Sequence, residues 1–191
     1  MKKMVIGLTG PIAAGKNTVA KGLKGLGAHV VEVDELAHTL YKPQTLIWGE
    51  IVRAFGSKVL KRGGEINRKK LGEVVFSDRK KLQALNRIMH PALKQAVAKE
   101  IESGKQAVVV NAAVLKEIGL IDLVDAVWVV IASKENRLKR LVKSGLTKMQ
   151  AMRRIAVQPA QKEYLKIADL VIRNDGTLRQ LNEKIRAGIK L

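Results

Sequence analysis

The sequence predicts an α/β fold: a five-stranded parallel sheet flanked by helices, with a helical insert and a lid. Three observations lead there. Five short apolar runs are continuous rather than alternating, the pattern of strands covered on both faces. Helical stretches alternate with them, which implies parallel pairing through right-handed crossovers. Two of the links are too long for a single crossover helix. At 191 residues and 47% hydrophobic, the chain has enough apolar material for one substantial core.

The predicted strands cover residues 4–8, 29–33, 107–110, 126–131 and 170–172. A helix over 18–26 follows the first. Another over 133–142 follows the fourth, where Ser133 can cap the helix and Asn136 lies in its first turn. The last helix, 178–189, is opened by the turn and cap at Asn174, Asp175, Gly176 and Thr177. The link between the second and third strands holds helical patterns at 43–55, 68–76 and 79–101; that between the fourth and fifth adds 147–158 and a turn after Pro159. The expected organisation is a core (1–42, 100–133, 167–191), a helical insert (43–99) and a second inserted region (134–166).

The charge sits in the same two links. The chain carries 36 Lys and Arg against 17 Asp and Glu, a formal charge of +19. Residues 53–99 hold 13 basic and 3 acidic side chains, and residues 134–166 hold 10 and 2, so the remaining sequence is nearly neutral. Such clustering suits two surfaces that face an anion, although lysine-rich faces turned to water give the same count. The absence of cysteine excludes disulfide scaffolds, thiolate metal sites and cysteine nucleophiles. The N-terminal MKKMVIGLTG lacks a secretory apolar region, and no apolar stretch reaches the roughly 18 residues of a membrane span. A cytoplasmic protein without a membrane partner is expected.

The strongest motif is Gly10-Pro-Ile-Ala13-Ala14-Gly15-Lys16-Asn17-Thr18, placed directly after a predicted strand and opening a helix. This is a P-loop in its required context. Glycines let backbone N–H groups wrap a phosphate, the helix N-terminus adds its dipole, and Lys16 neutralises charge on a transferred phosphoryl group. The pattern expects Ser or Thr after the lysine to ligate Mg²⁺, and this chain has Asn17 there with Thr18 following. An amide oxygen can meet a hard cation directly or through a water.

Asp34 comes at the end of the second predicted strand, where residues line the ligand crevice of an α/β sheet. A carboxylate there can take the proton of an attacking hydroxyl, or it can cap the helix that follows. His38 lies one helical turn further along the same face.

These pieces, with Asn67-Arg68-Lys-Lys-Leu71, Val75-Phe76, His90-Pro91, Arg140 with Lys143, Arg154-Ile-Ala-Val-Gln158 and Ala168-Asp169-Leu-Val-Ile172-Arg-Asn174, occur in the order and spacing of the dephospho-coenzyme A kinases. The resemblance covers nearly the whole chain and casts residues 43–99 as the acceptor-binding insert and 134–166 as the lid region. It implies a P-loop kinase that moves the γ-phosphoryl of ATP, with Mg²⁺ as cofactor, to the ribose 3′-hydroxyl of dephospho-CoA, the final step of coenzyme A synthesis. By the resemblance Asp34 is the base, and Lys16 and Arg140 stabilise charge. ATP is bound by Gly10, Ala13, Ala14, Gly15, Lys16, Asn17, Thr18, Arg140 and Arg154. Asp34, His38, Arg68, His90 and Pro91 belong to the acceptor, and Asn17 to the metal, directly or through water. For His90 the alternative is help in starting a helix turn at Pro91. The lid cations Arg137, Lys139, Arg140, Lys143, Arg153 and Arg154 either close over the triphosphate or form a solvated face.

The chain departs from the family pattern at several places. Asn111-Ala-Ala113 replaces an acidic residue and a proline after the third strand, while Leu115 and Glu117 are kept. Lys143 replaces a lid arginine and loses its planar fork, and Tyr164 stands where a basic residue is common. Slower turnover or an altered metal preference would follow. Two other readings compete: a P-loop kinase acting on a nucleoside or nucleotide, and a non-catalytic nucleotide or nucleic-acid binder. Nucleic acid is disfavoured because Tyr41, Trp48, Phe55, Phe76, Trp128 and Tyr164 are scattered, with no stacking platform. A monomer or a weak homo-oligomer is expected.

Overall fold

The structure is a computed structural model that describes residues 3–104 and 107–189, so Met1 and Lys2, at the start of the segment read for a secretory leader, lie outside the described residues. The chain folds as two compact units, one running up to Val31 and resuming at Ser103, the other Glu32–Glu102.

The first unit is built on the sheet. Its strands are β1 (Met4–Thr9), β2 (His29–Glu32), β3 (Ala107–Asn111), β4 (Ala126–Ile131) and β5 (Leu170–Arg173), in the order β2-β3-β1-β4-β5. β1 pairs in parallel with β3, Leu8 opposite Asn111, and with β4, Thr9 opposite Val129. β4 pairs in parallel with β5. The continuous apolar runs are explained by burial on both faces: Leu8, Val108, Val109, Val110, Val129 and Val130 are fully buried. Helices α1 (Lys16–Gly25) and α9 (Leu178–Ile189) bring Val19, Ala20, Leu23, Leu181 and Ile185 against this sheet core. The chain leaves β1 toward one edge and later fills the other side, so the crevice beyond the end of β1 is the switch point where α/β sheets bind ligands.

Boundaries moved for local reasons. α1 starts at Lys16 rather than residue 18, because Gly15 takes the left-handed conformation at the N-cap. β3 reaches Asn111, one residue further than its apolar run. The expected strand over 29–33 ends at Glu32, and Val33 opens α2 (Val33–Leu40); both Val31 and Val33 are buried, so one apolar run serves two elements. Asp34 is therefore not the cap of that helix. Glu32 holds the N-cap position and Asp34 lies in the first turn, where its charge still complements the dipole.

In the sheet unit the expected caps form: Ser133 Oγ accepts from the N–H of Asn136 at the start of α6 (Lys134–Lys143), and Thr177 Oγ1 accepts from the N–H of Gln180 at the start of α9. Thr147 and Gln150 add a reciprocal capping box on α7 (Lys148–Ala156). A short helix α8 (Gln161–Leu165) follows Pro159.

The second unit contains α2, α3 (Leu46–Phe55), α4 (Arg68–Phe76) and most of α5 (Arg79–Ser103). Its core is Ile51, Phe55, Val59, Ile66, Leu71, Val75 and Met89. α3 starts at Leu46 rather than residue 43, because Thr45 Oγ1 caps the N–H of Trp48 after a turn through Pro43 and Gln44, whose φ is +71°. α5 runs through Pro91, so no helix turn begins there and the starter role for His90 is corrected. A proline inside a helix costs roughly 3 kcal/mol; the burial of Met89, Leu93 and Val97 on either side of it offsets that loss.

Candidate active site

The P-loop is shaped by its own strained backbone and by side chains that arrive from far along the sequence. Gly10 has φ +144°, and a Cβ there would stand 2.1 Å from the carbonyl oxygen of Val130. Ala13 has φ +59°, a left-handed conformation worth about 1–3 kcal/mol of strain in a non-glycine residue. Such strain persists only where the surroundings hold it, and here they do. Arg140 Nη1 donates to the carbonyls of Ala13 at 3.0 Å and Ala14 at 3.1 Å, and its Nη2 donates to the carbonyl of Asn174 at 2.7 Å. Asn174 Nδ2 donates to Ala14 O at 2.8 Å, and Gln158 Oε1 accepts from the N–H of Ile12 at 2.7 Å. The N–H groups of Ile12, Ala14 and Thr18 are taken by Gln158, the Pro11 carbonyl and the Gly15 carbonyl, so an anion at this turn would meet the helix N-terminus around Gly15 and Lys16.

The structure thus brings Gly10, Ala13, Ala14, Gly15, Lys16, Asn17, Thr18 and Arg140 together, but gives Arg140 a bracing role on the loop. Arg154 lies exposed in the last turn of α7. Asn174 was expected only in the turn before the last helix and Gln158 only as part of a family motif, neither as a partner of the P-loop. Their signal was an amide at the end of the last strand and another in the lid, both hard to separate from ordinary turn chemistry.

The metal donors are also changed. Asn17 is exposed at the start of α1, and its Oδ1 accepts from Nδ2 of Asn111 at 3.2 Å. Asn111 is buried at the end of β3, the strand beside β1. P-loop enzymes hold Mg²⁺ with a hydroxyl after the lysine and a carboxylate from a neighbouring strand. This pair offers neutral oxygen only, and among the described residues no group of three or more His, Cys, Asp or Glu is placed to hold a metal ion. The donor set does not fit a Mg²⁺ held by the protein.

In the helical unit, His38 and Arg68 line one cavity of about 510 Å³ with Tyr41, Lys42, Lys61 and Lys69. Asn67 Oδ1 caps α4 by accepting from the N–H of Lys70, which fixes Arg68 as the first helical residue. His38 Nδ1 and the Tyr41 hydroxyl are hydrogen-bonded, with the rings edge-on at 76°. Burial, then the Arg68 charge, lowers the pKa of His38, while Asp34 and Glu35 oppose them. Burial raises that of Tyr41 against the pull of Arg68. The cavity therefore presents an imidazole and a phenol beside Arg68, Lys42 and Lys69, while Lys61 is paired at 2.8 Å with Glu65, which also lines it; the balance remains cationic and suits an anionic group. His90 and Pro91 line a different recess, with Gln83, Asn86 and Arg87.

A further cavity of about 400 Å³ lies at the end of β1 in the sheet unit, between Thr9, Ala113, Leu115, Glu117, Tyr164 and Ile167. Tyr164 is 8% exposed, and burial with the nearby Glu117 carboxylate raises its pKa against the Arg137 charge. Arg137 is equally buried, and its Nε has no hydrogen-bond partner among the described residues. The lid helix thus sends one arginine inward and another to the P-loop, while Lys139 pairs with Glu135 at its exposed face.

The sequence model of the dephospho-CoA kinase family matches residues 4–180. A relative named dephospho-CoA kinase from Carboxydothermus hydrogenoformans is 37% identical over 186 residues, which is 95% of this chain and 90% of that protein. Among solved structures, TT1252 from Thermus thermophilus aligns with a TM-score of 0.85 at 30% identity, covering 100% of this chain and 98% of the other. The dephospho-CoA kinase from Campylobacter jejuni aligns at 0.73 and 27% identity, covering 97% and 95%. With a P-loop fold observed and a family match across nearly its whole length, the chain belongs to the dephospho-CoA kinase family.

Proposed function

We infer that the protein is an ATP-dependent kinase that phosphorylates the ribose 3′-hydroxyl of dephospho-CoA, giving coenzyme A and ADP as the last step of coenzyme A synthesis. The observation that carries this reading is the braced P-loop at the end of β1, in a chain matched by the family over residues 4–180. In the reaction the acceptor oxygen attacks the γ-phosphorus, the bond to the β,γ-bridging oxygen breaks, and the hydroxyl proton passes to Asp34. Lys16 and the P-loop amides carry the charge that develops on the phosphoryl oxygens. Arg140 acts by holding the loop in its binding shape, and Arg154 is assigned to ATP. The cavity of His38, Tyr41 and Arg68, with its lysines, takes the anionic pyrophosphate portion of the acceptor, and His90 with Pro91 extends the acceptor surface. Mg²⁺ is expected to arrive with ATP, bound by its phosphates and by water. The enzyme is taken to be cytoplasmic, and monomeric or weakly self-associating.

The test is a panel of acceptors measured as kcat/KM. Dephospho-CoA should exceed AMP and adenosine by at least two orders of magnitude. A preference for AMP or adenosine would instead assign the chain to nucleotide or nucleoside phosphorylation.

A further inference from the structure

A P-loop enzyme that relies on a carboxylate beside its nucleotide needs a divalent ion for a simple electrostatic reason. The triphosphate of ATP is highly negative, and a carboxylate near it adds repulsion that only a cation relieves. In this chain the position that would supply the carboxylate, at the end of the strand next to β1, is Asn111. Its amide does not wait for an ion. It is buried and donates to Oδ1 of Asn17, the residue standing where a metal-binding hydroxyl is usual. The two changes are coupled by one hydrogen bond, with the donor on Asn111 and the acceptor on Asn17, and neither residue brings charge.

We propose that the Asn17–Asn111 amide pair makes the nucleotide site bind metal-free ATP. The tetra-anion docks on Lys16, the helix N-terminus and the loop amides without the divalent ion as a bridge. A divalent ion contributes little to this docking. The proposal rests on the P-loop reading and is independent of which acceptor is phosphorylated.

The experiment is calorimetric titration of the protein with ATP, in EDTA and in excess Mg²⁺ at equal ionic strength, with no acceptor present. The dissociation constants should agree within about threefold, since the pair carries no charge for the ion to relieve. Asn111→Asp restores a carboxylate: ATP should then bind at least tenfold more weakly in EDTA, with most of the loss recovered in Mg²⁺. Thermal unfolding of that variant checks that the buried substitution still folds. Should it fail to fold, the wild-type comparison alone decides. A wild-type protein that loses tenfold or more of its ATP affinity in EDTA would overturn the proposal, as would a folded Asn111→Asp variant with no new metal dependence. An ATP affinity equal in both conditions, together with an absence of CoA formation, would leave the proposal standing and remove the kinase reading.

Discussion

Asn174 donates from Nδ2 to the carbonyl oxygen of Ala14 at 2.8 Å in a fully buried bond, joining the end of β5 to the middle of the P-loop across 160 positions of sequence. The same carbonyl accepts from Arg140, and Arg140 also donates to the carbonyl of Asn174. The phosphate loop, the lid helix and the last strand are therefore one hydrogen-bonded unit, and nucleotide binding and local stability share residues.

Removing one member should be costly for that reason. Asn174→Ala leaves a buried carbonyl with one donor fewer and opens space beside Gly15, a loss of about 1–3 kcal/mol. At this chain length each kcal/mol lowers Tm by roughly 2–4 °C, readable in a thermal melt. ATP affinity should fall in the same variant, because the strain at Ala13 loses part of its support.

Gly15 has no room for a side chain. A Cβ would stand 2.1 Å from Asn174 Nδ2, and φ is +104°. Gly15→Ala should abolish measurable ATP binding by calorimetry while the helical unit, with its own core, keeps its helical circular dichroism. Retained affinity would mean that the loop can reshape without Asn174.

Asp34 is exposed in the first turn of α2, so its replacement should leave folding intact. Asp34→Asn should lower kcat by roughly 10²- to 10⁴-fold, the usual worth of a general base, with the ATP dissociation constant unchanged within about twofold. A variant with near-normal turnover would remove Asp34 from the chemistry.

His38 gives a pH signature. Its pKa in the folded protein lies below the ordinary 6.5 because burial and Arg68 disfavour the charged ring. The unfolded chain therefore takes up protons first as pH drops. The stability linked to this group is complete above pH 6.5 and is lost as pH falls through the folded value. Tm measured from pH 7.5 down to 5 should fall less in His38→Gln than in the wild type. Parallel curves would show that the imidazole is not coupled to folding.

The sheet was legible because burial on both faces writes itself as uninterrupted apolar runs. Residues 126–131 appear as a strand with the same limits in sequence and structure, as does the helix over 178–189. The P-loop was legible because its chemistry is local in sequence. What sequence hid was long-range or context-dependent. Nothing near Arg140 indicates that its guanidinium would spend itself on three backbone carbonyls, since that depends on where Ala13, Ala14 and Asn174 come to lie. Asn17 was visible as a departure and Asn111 as another, but only the fold pairs them. The helical pattern over 79–101 was legible through Pro91, and only the alternative role of His90 in starting a turn there fell away. Asp34 reads as a cap from residue type alone, whereas the helix opened one residue earlier, at the buried Val33.

Phosphoryl transfer from ATP to dephospho-CoA is read in its product. The protein, ATP, Mg²⁺ and dephospho-CoA are incubated together, and the product is read by mass and by phosphorus NMR. ADP and coenzyme A are expected in equal amounts, with a new phosphomonoester on the ribose 3′ carbon that Asp34→Asn fails to produce. Unchanged dephospho-CoA beside a protein that still binds ATP, or a phosphate on any other position, would contradict this transfer.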